Sequence, residues 1–228
     1  MYRKTLTLLA LGVAGLMLAG CTQAEPVTEP ETNEPDEPAV EQVVQPTKDN
    51  PMVVDEENGA ILVYAEVNRK WVTEPTRHGV VCANGSNGEK AIFRAGGDAL
   101  EFNEALFALG AEAGENVKKD SPAGTTVEGD ELDITIAWDG NEYPIGDLVV
   151  STGELGGQSL APKFGGNYEF QSEAKTGCLF CLDSCAAGIT SNANVGWKSF
   201  DSGKVEFRGD GDKLPADGTS VVITFALK

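Results

Sequence analysis

Three cysteines crowd into eight positions of the segment TGCLFCLDSCAAGITSN, residues 176–192: Cys178, Cys181 and Cys185. The chain of 228 residues has only two others, Cys21 and Cys82, and a single histidine, His78. Thiols at this spacing suit four kinds of chemistry: an iron–sulfur cluster, a zinc site, a dithiol redox pair, or structural disulfides. Cys178-x2-Cys181-x3-Cys185 matches the last three cysteines of the ferredoxin pattern C-x2-C-x2-C-x3-C-P. Two departures stand against a cluster: Lys175 sits where the first cysteine belongs, and Ala186 replaces the proline. On a helix, spacings of three and seven would place the three sulfurs on one face, with Cys82 arriving from a separate segment as a fourth. Zinc tolerates such a thiolate set at Zn–S of about 2.3 Å. His78 precedes Cys82 by four residues, which span ~13 Å on a strand, so the two would not share an ion or form a dyad. His78 is accordingly expected to pack or to face solvent.

The redox compartment weighs on this choice, and the other end of the chain specifies it. Residues 1–21, MYRKTLTLLALGVAGLMLAGC, carry Arg3 and Lys4, an apolar run, and then Leu18-Ala19-Gly20 directly before Cys21. This is the pattern of a lipoprotein signal peptide, with lipid expected on Cys21; the apolar run is short for a span of ~20 residues. Losing Arg3 and Lys4 takes the formal net charge from -19 to -21. Such a charge excludes nucleic acid as a partner, because phosphate binding needs a basic face. It also disfavours docking on anionic lipid, which leaves anchoring to the acyl chains. The chain is expected on the outer side of a cell membrane, periplasmic or extracellular. Exported cysteines favour bridges, Cys181 with Cys185 and Cys178 with Cys82. The second would close a loop of nearly a hundred residues, worth roughly 4–5 kcal/mol in the chain-entropy picture.

Residues 22–58 are dominated by Glu and Pro with few large apolar side chains. They are expected to form a disordered acidic tether, whose 37 residues at ~3.1 Å each would reach on the order of 100 Å. Residues 59–228 are one domain's worth of chain. Short β-branched runs recur between Gly/Asn/Asp turns, which predicts an α+β fold: a strand-rich, mixed or antiparallel sheet with one principal helix on a face. Ile61, Val63, Ala65 and Val67 alternate on one strand, Leu132, Ile134 and Ile136 on a second, and Val221, Ile223 and Phe225 on a last one. Asp139-Gly140 signals a hairpin, and Asn84–Gly88 has the turn chemistry of another, joining the two strands of RHGVVCANGSNGEKAIFRA. The helix is GDALEFNEALFALGAEAG, capped by Asp98, with Leu100, Asn103, Phe107 and Gly110 near one side and Phe102, Leu106 and Leu109 beside them.

Other motifs carry little. GSNGEK lacks a full phosphate loop, and GDGDKLPADG lacks the spaced ligands and closing Glu of an EF-hand. Arg208–Asp210 spells an adhesion tripeptide before a turn, and no Ser/His/Asp triad can be assembled around one histidine.

EVNRKWVTEPTRHGVVCANGSNGEKAIFRAGGDALEFNEALFALGAEAGENV, residues 66–117, resembles the YdjY domain, a family of bacterial exported or lipid-anchored proteins. TIAWDGNEYPI, KFGGN and GCLFCLDSCAAGITSNA resemble downstream segments of a subgroup with a C-terminal C-x2-C-x3-C block. The family has no assigned activity, and some members accompany ferredoxin-type proteins. The resemblance therefore implies a weak redox association and transfers no catalytic residue. The expected function is a non-enzymatic, membrane-anchored binding or structural module with disulfide-stabilised cysteines. Its partner, a protein or small molecule, is unspecified, a redox protein among the options. The alternative is an extracytoplasmic redox or metal-carrying protein using Cys178, Cys181 and Cys185 with Cys82. Neither iron–sulfur nor zinc is favoured as cofactor.

Overall fold

The structure, a computed structural model, describes residues 44–114 and 117–228. The signal peptide, Cys21 and most of the tether lie outside the described residues. The elements in chain order are β1 (Met52–Asp55), β2 (Ala60–Val67), α1 (Lys70–Thr73), β3 (His78–Cys82), β4 (Ala91–Ala95), α2 (Ala99–Ala108), β5 (Leu132–Trp138) and β6 (Asn141–Pro144). They continue with β7 (Val149–Thr152), β8 (Pro162–Phe164), α3 (Tyr168–Ala174), β9 (Cys178–Cys181), β10 (Thr190–Asn192), β11 (Glu206–Gly209) and β12 (Ser220–Leu227). Ten strands form one sheet in the order β6-β5-β12-β2-β4-β3-β9-β10-β8, with β1 also paired to β2, and β7 and β11 form a separate two-stranded ribbon. The fold is the expected strand-rich α+β mixed sheet: β3 with β4 and β9 with β10 run parallel, and the other pairs run antiparallel.

The alternating apolar positions of β2, β5 and β12 are all buried, as their period of two requires. In β2 the intervening Leu62 is buried too, so this central strand is covered on both sides over part of its length. The β5–β6 connection is the hairpin that Asp139-Gly140 predicts: both residues have positive φ, 48° and 74°, the geometry of a type I′ turn. Helix α2 starts where Asp98 caps it, the carboxylate accepting from Leu100 N at 2.7 Å and Glu101 N at 3.4 Å. It ends before Gly110, which takes φ +91°. Its buried face is Ala99, Phe102, Asn103 and Leu106; Phe102 meets Phe225 of β12 edge-on at 4.7 Å. Phe107, expected on that face, is 49% exposed, because the helix presents its Phe102–Leu106 stripe to the sheet instead.

Two further expectations are corrected. The strands around Asn84–Gly88 are neighbours but not a hairpin: β3 and β4 are parallel, and residues 83–90 carry the chain back along the sheet. Folded chain also begins before Gly59, since β1 pairs with β2 from Met52↔Val63 to Asp55↔Ala60. Among the described residues no helix is long and apolar enough to cross a membrane.

Candidate thiol and imidazole centre

Strand β9 is the element that matters for chemistry, and it is a strand rather than the helix that the cysteine spacing suggested. Cys178 and Cys181 lie three apart on it, a spacing that on a regular strand would send them to opposite faces. The β3–β9 ladder resolves this. His78 opposes Cys181 and Val81 opposes Cys178, while Val80 opposes Phe180, with register slips on either side of Val80. Each slip lets one strand gain a residue on the other, as β-bulges do, and so changes which residues share a face. Val81, Cys178, Cys181 and Cys185 then form one buried cluster with Ala91, against which Trp197 packs; Val80, Leu179 and Phe180 belong to the main core. Gly79 occupies the slip because a Cβ there would meet Phe180 Cδ1 at 2.8 Å.

The result is a convergence of soft ligands. Among the described residues, His78, Cys178 and Cys181 each offer one atom within 4.8 Å of the others, and His78 Nδ1 lies 3.6 Å from Cys178 Sγ. Asn87 Nδ2 donates to Cys178 Sγ at 3.5 Å, and Ala187 N donates to Cys185 Sγ at 3.4 Å. Hydrogen bonding from Cys181, supported by His78 and Asn87, holds the Cys178 thiol well below its usual range despite burial. The same sharing with Cys178 and then Cys185, together with burial, pushes Cys181 well up. The first proton therefore leaves this pair from Cys178, as expected where a histidine and an amide face one of two neighbouring sulfurs.

Cys185 sits on the loop after β9, and Arg77, the residue before β3, fastens that loop. Arg77 O accepts from Leu182 N at 2.8 Å, and its guanidinium grips the fully buried Asp183 from Nε at 3.0 Å and Nη2 at 2.5 Å. Asp201 takes Nη1 at 3.0 Å, and Trp197 and Phe200 lie under the cation at 5.2 and 5.8 Å. Burial opposes the Arg77 charge, but Asp183, Cys185 and Cys181 raise its pKa well above the ordinary value. Burial pushes the Asp183 carboxyl up, and the guanidinium pulls it back towards ionisation. The close two-point geometry is that of a charged pair.

Cys82 does not join the cluster. It lies on the Val80 side of β3, in the main core, and its Sγ points to Gly96 O at 3.8 Å. Burial, with Asp98 nearby, pushes its thiol up to about 12. The expected fourfold set of Cys82 with the triplet is thus corrected by strand parity: Val81, not Cys82, opposes Cys178. Neither expected bridge is shown: Cys82, Cys178, Cys181 and Cys185 are free and buried thiols. Cys21 lies outside the described residues. His78 was the residue that strand spacing argued away; the argument held against sharing an ion with Cys82 but said nothing about a partner one strand over. Its only sequence signal was its uniqueness in a cysteine-bearing chain.

A cavity of about 680 Å³ is lined from β5, β6, β7 and the 157–162 segment and by none of the cysteines.

Fold and centre together define a class: a mixed-sheet α+β domain with buried thiols beside a half-buried imidazole at one side of the sheet. Residues 52–226 match the YdjY domain, and the chain belongs to the YdjY domain family. A curated relative, "Uncharacterized protein YdjY" of Escherichia coli (strain K12), is 38% identical over 180 residues, covering 78% of this chain and 79% of the relative. No solved structure matches the chain.

Proposed function

We propose that this protein is a lipid-anchored, extracytoplasmic metal-carrying module, held at the membrane through Cys21 and carrying one soft metal ion at His78, Cys178 and Cys181. The observation that carries the reading is the mutual approach of the three ligand atoms to within 4.8 Å on a side of the sheet that they share only because of the β3–β9 slips. The residues fit a metal: two thiols and an imidazole suit zinc, and the low first proton of the cluster eases the deprotonation that thiolate ligands need. Zinc is also compatible with export, because it can be acquired after the chain has crossed the membrane. The disulfide-stabilised binding module loses its main support with Cys82 on the other face.

The test uses the mature lipoprotein extracted in detergent under anaerobic conditions. Metal analysis is expected to give one ion per chain, and thiol titration should count Cys178 and Cys181 as protected until a chelator is added. His78→Ala and Cys178→Ala should each lower metal content. Metal-free protein with Cys178, Cys181 and Cys185 oxidised would sink the reading.

A further inference from the structure

We infer that the cavity beside β7 is a docking groove for an extended, basic segment of a partner polypeptide, which adds to β7 as a third strand of the β7–β11 ribbon. The inference is independent of the metal reading, because no cysteine lines this cavity.

The groove is built from strand edges. β7 pairs with β11 alone, so its other edge has no strand beside it. Asp210 N donates to Leu148 O at 2.8 Å, which turns the backbone groups of residue 148 towards the β11 side. In an antiparallel ladder those groups alternate, so Val150 and Thr152 follow Leu148, and Val149 and Ser151 direct their N–H and C=O to the open edge. Val149, Val150 and Ser151 all line the cavity of about 680 Å³. The facing wall is open too. β12 pairs with β5 from Leu132 to Ala137, but on the other edge β6 leaves β5 at Thr135↔Pro144, and β8 comes back to the chain only at the isolated bridge Glu131↔Lys163. The cavity therefore lies where the two ends of the large sheet approach without closing.

The residues of β7 suit it to pairing. The large sheet ends in β6 and β8, which carry Pro144 and Pro162, the kind of residue that guards an exposed edge. β7 reads Val149-Val150-Ser151-Thr152, with no proline and no charge, and Val150 is 43% exposed. Its Val and Thr side chains favour extended backbone. On such an edge main-chain hydrogen bonds supply affinity, and alternate side chains of the incoming strand supply selectivity.

Charge selects the occupant. Glu131, Asp133 and Asp147 line the cavity against a single cation, Lys228. Lys228 is held by Asp133 at 3.0 Å and Glu131 faces Lys163 at 3.9 Å, whereas Asp147 has no ion pair among the described residues. A lysine or arginine of the incoming strand meets that carboxylate. A second copy of this chain is the poorer fit, because a formal net charge of -19 repels its like.

The experiment titrates the full-length chain, purified in detergent, into a fluorescent peptide of alternating valine and lysine, with a valine and glutamate peptide as comparison. The basic peptide should bind at one site per chain, and the acidic one at least about tenfold more weakly. Hydrogen exchange at the amides of Val149 and Ser151 should slow on binding. Ser151→Pro removes an outward N–H and no β7–β11 bond, and should weaken the basic peptide about tenfold. Val150→Lys keeps every backbone group and places a guarding charge on the edge, so it should weaken binding with the urea midpoint unchanged. Asp147→Asn should lower affinity and flatten its dependence on salt. Equal binding of the two peptides, no binding of the basic one, or full affinity in both Ser151→Pro and Val150→Lys would overturn the inference. So would self-association of the chain that Val150→Lys abolishes, since the edge would then take a second copy.

Discussion

At the scale of single residues, the two buried ionisable sites outside the ligands make opposite demands. Asp183 and Arg77 are a close pair with 0% and 13% side-chain exposure. Asp183→Ala leaves the mostly buried guanidinium with only the exposed Asp201 as partner and is expected to cost about 3 kcal/mol in urea unfolding, against near-zero for an exposed pair such as Lys70–Glu74. Cys82 works through its proton. Its thiol titrates near 12 in the fold and about 9 when unfolded, so above pH 9 the unfolded chain releases a proton that the folded chain retains. Its contribution is whole below pH 9 and drains away towards pH 12, at up to ~1.4 kcal/mol per pH unit. Cys82→Val should therefore flatten the decline of urea midpoint between pH 8.5 and 10.5 relative to wild type; parallel curves would refute the assignment. The cysteine triplet was legible in the sequence as a cluster of thiols within eight positions, but the helix that would have put them on one face is a strand, and the β3–β9 slips do that work instead. His78 was not legible, since a slip in register one strand away leaves no mark on the histidine's own neighbours.

At the scale of elements, the slips between β3 and β9 set which side chains meet. Gly79→Ala is expected to push Phe180 from its fully buried seat, costing roughly 1–3 kcal/mol, and to lower metal content together with stability. In α2, Asp98→Ala removes an acceptor for two amides and should cost about 1 kcal/mol with the metal content untouched. The two variants separate damage to the fold from damage to the centre. The strands with strict alternation, β2, β5 and β12, were readable because each buries one face continuously. The β3–β4 pair was misread as a hairpin because Asn84–Gly88 has turn chemistry. What decides the direction of β4 is its pairing with β2, from Ala65↔Ala95 to Val67↔Phe93, far away in sequence.

At the scale of the whole molecule, the acidic charge and the proposed lipid would divide the work: repulsion would keep the domain off anionic headgroups, and lipid on Cys21 would keep it attached. Cys21→Ser is expected to move the protein from the membrane to the soluble fraction on cell fractionation, with the thiol centre unaltered. Retention of the variant on membranes would point to a protein partner as anchor. Strand β1 adds a mechanical consequence. It lies antiparallel along β2 over four residue pairs, and chain N-terminal to Met52 leaves from its end. A pull delivered through that chain along the strand axis loads all four pairs in shear together, instead of peeling them one by one. Tension through that chain would thus be met at β2, with β4 and β3 standing between it and the β9 cysteines, and a grip on the domain need not act directly on Cys178 and Cys181.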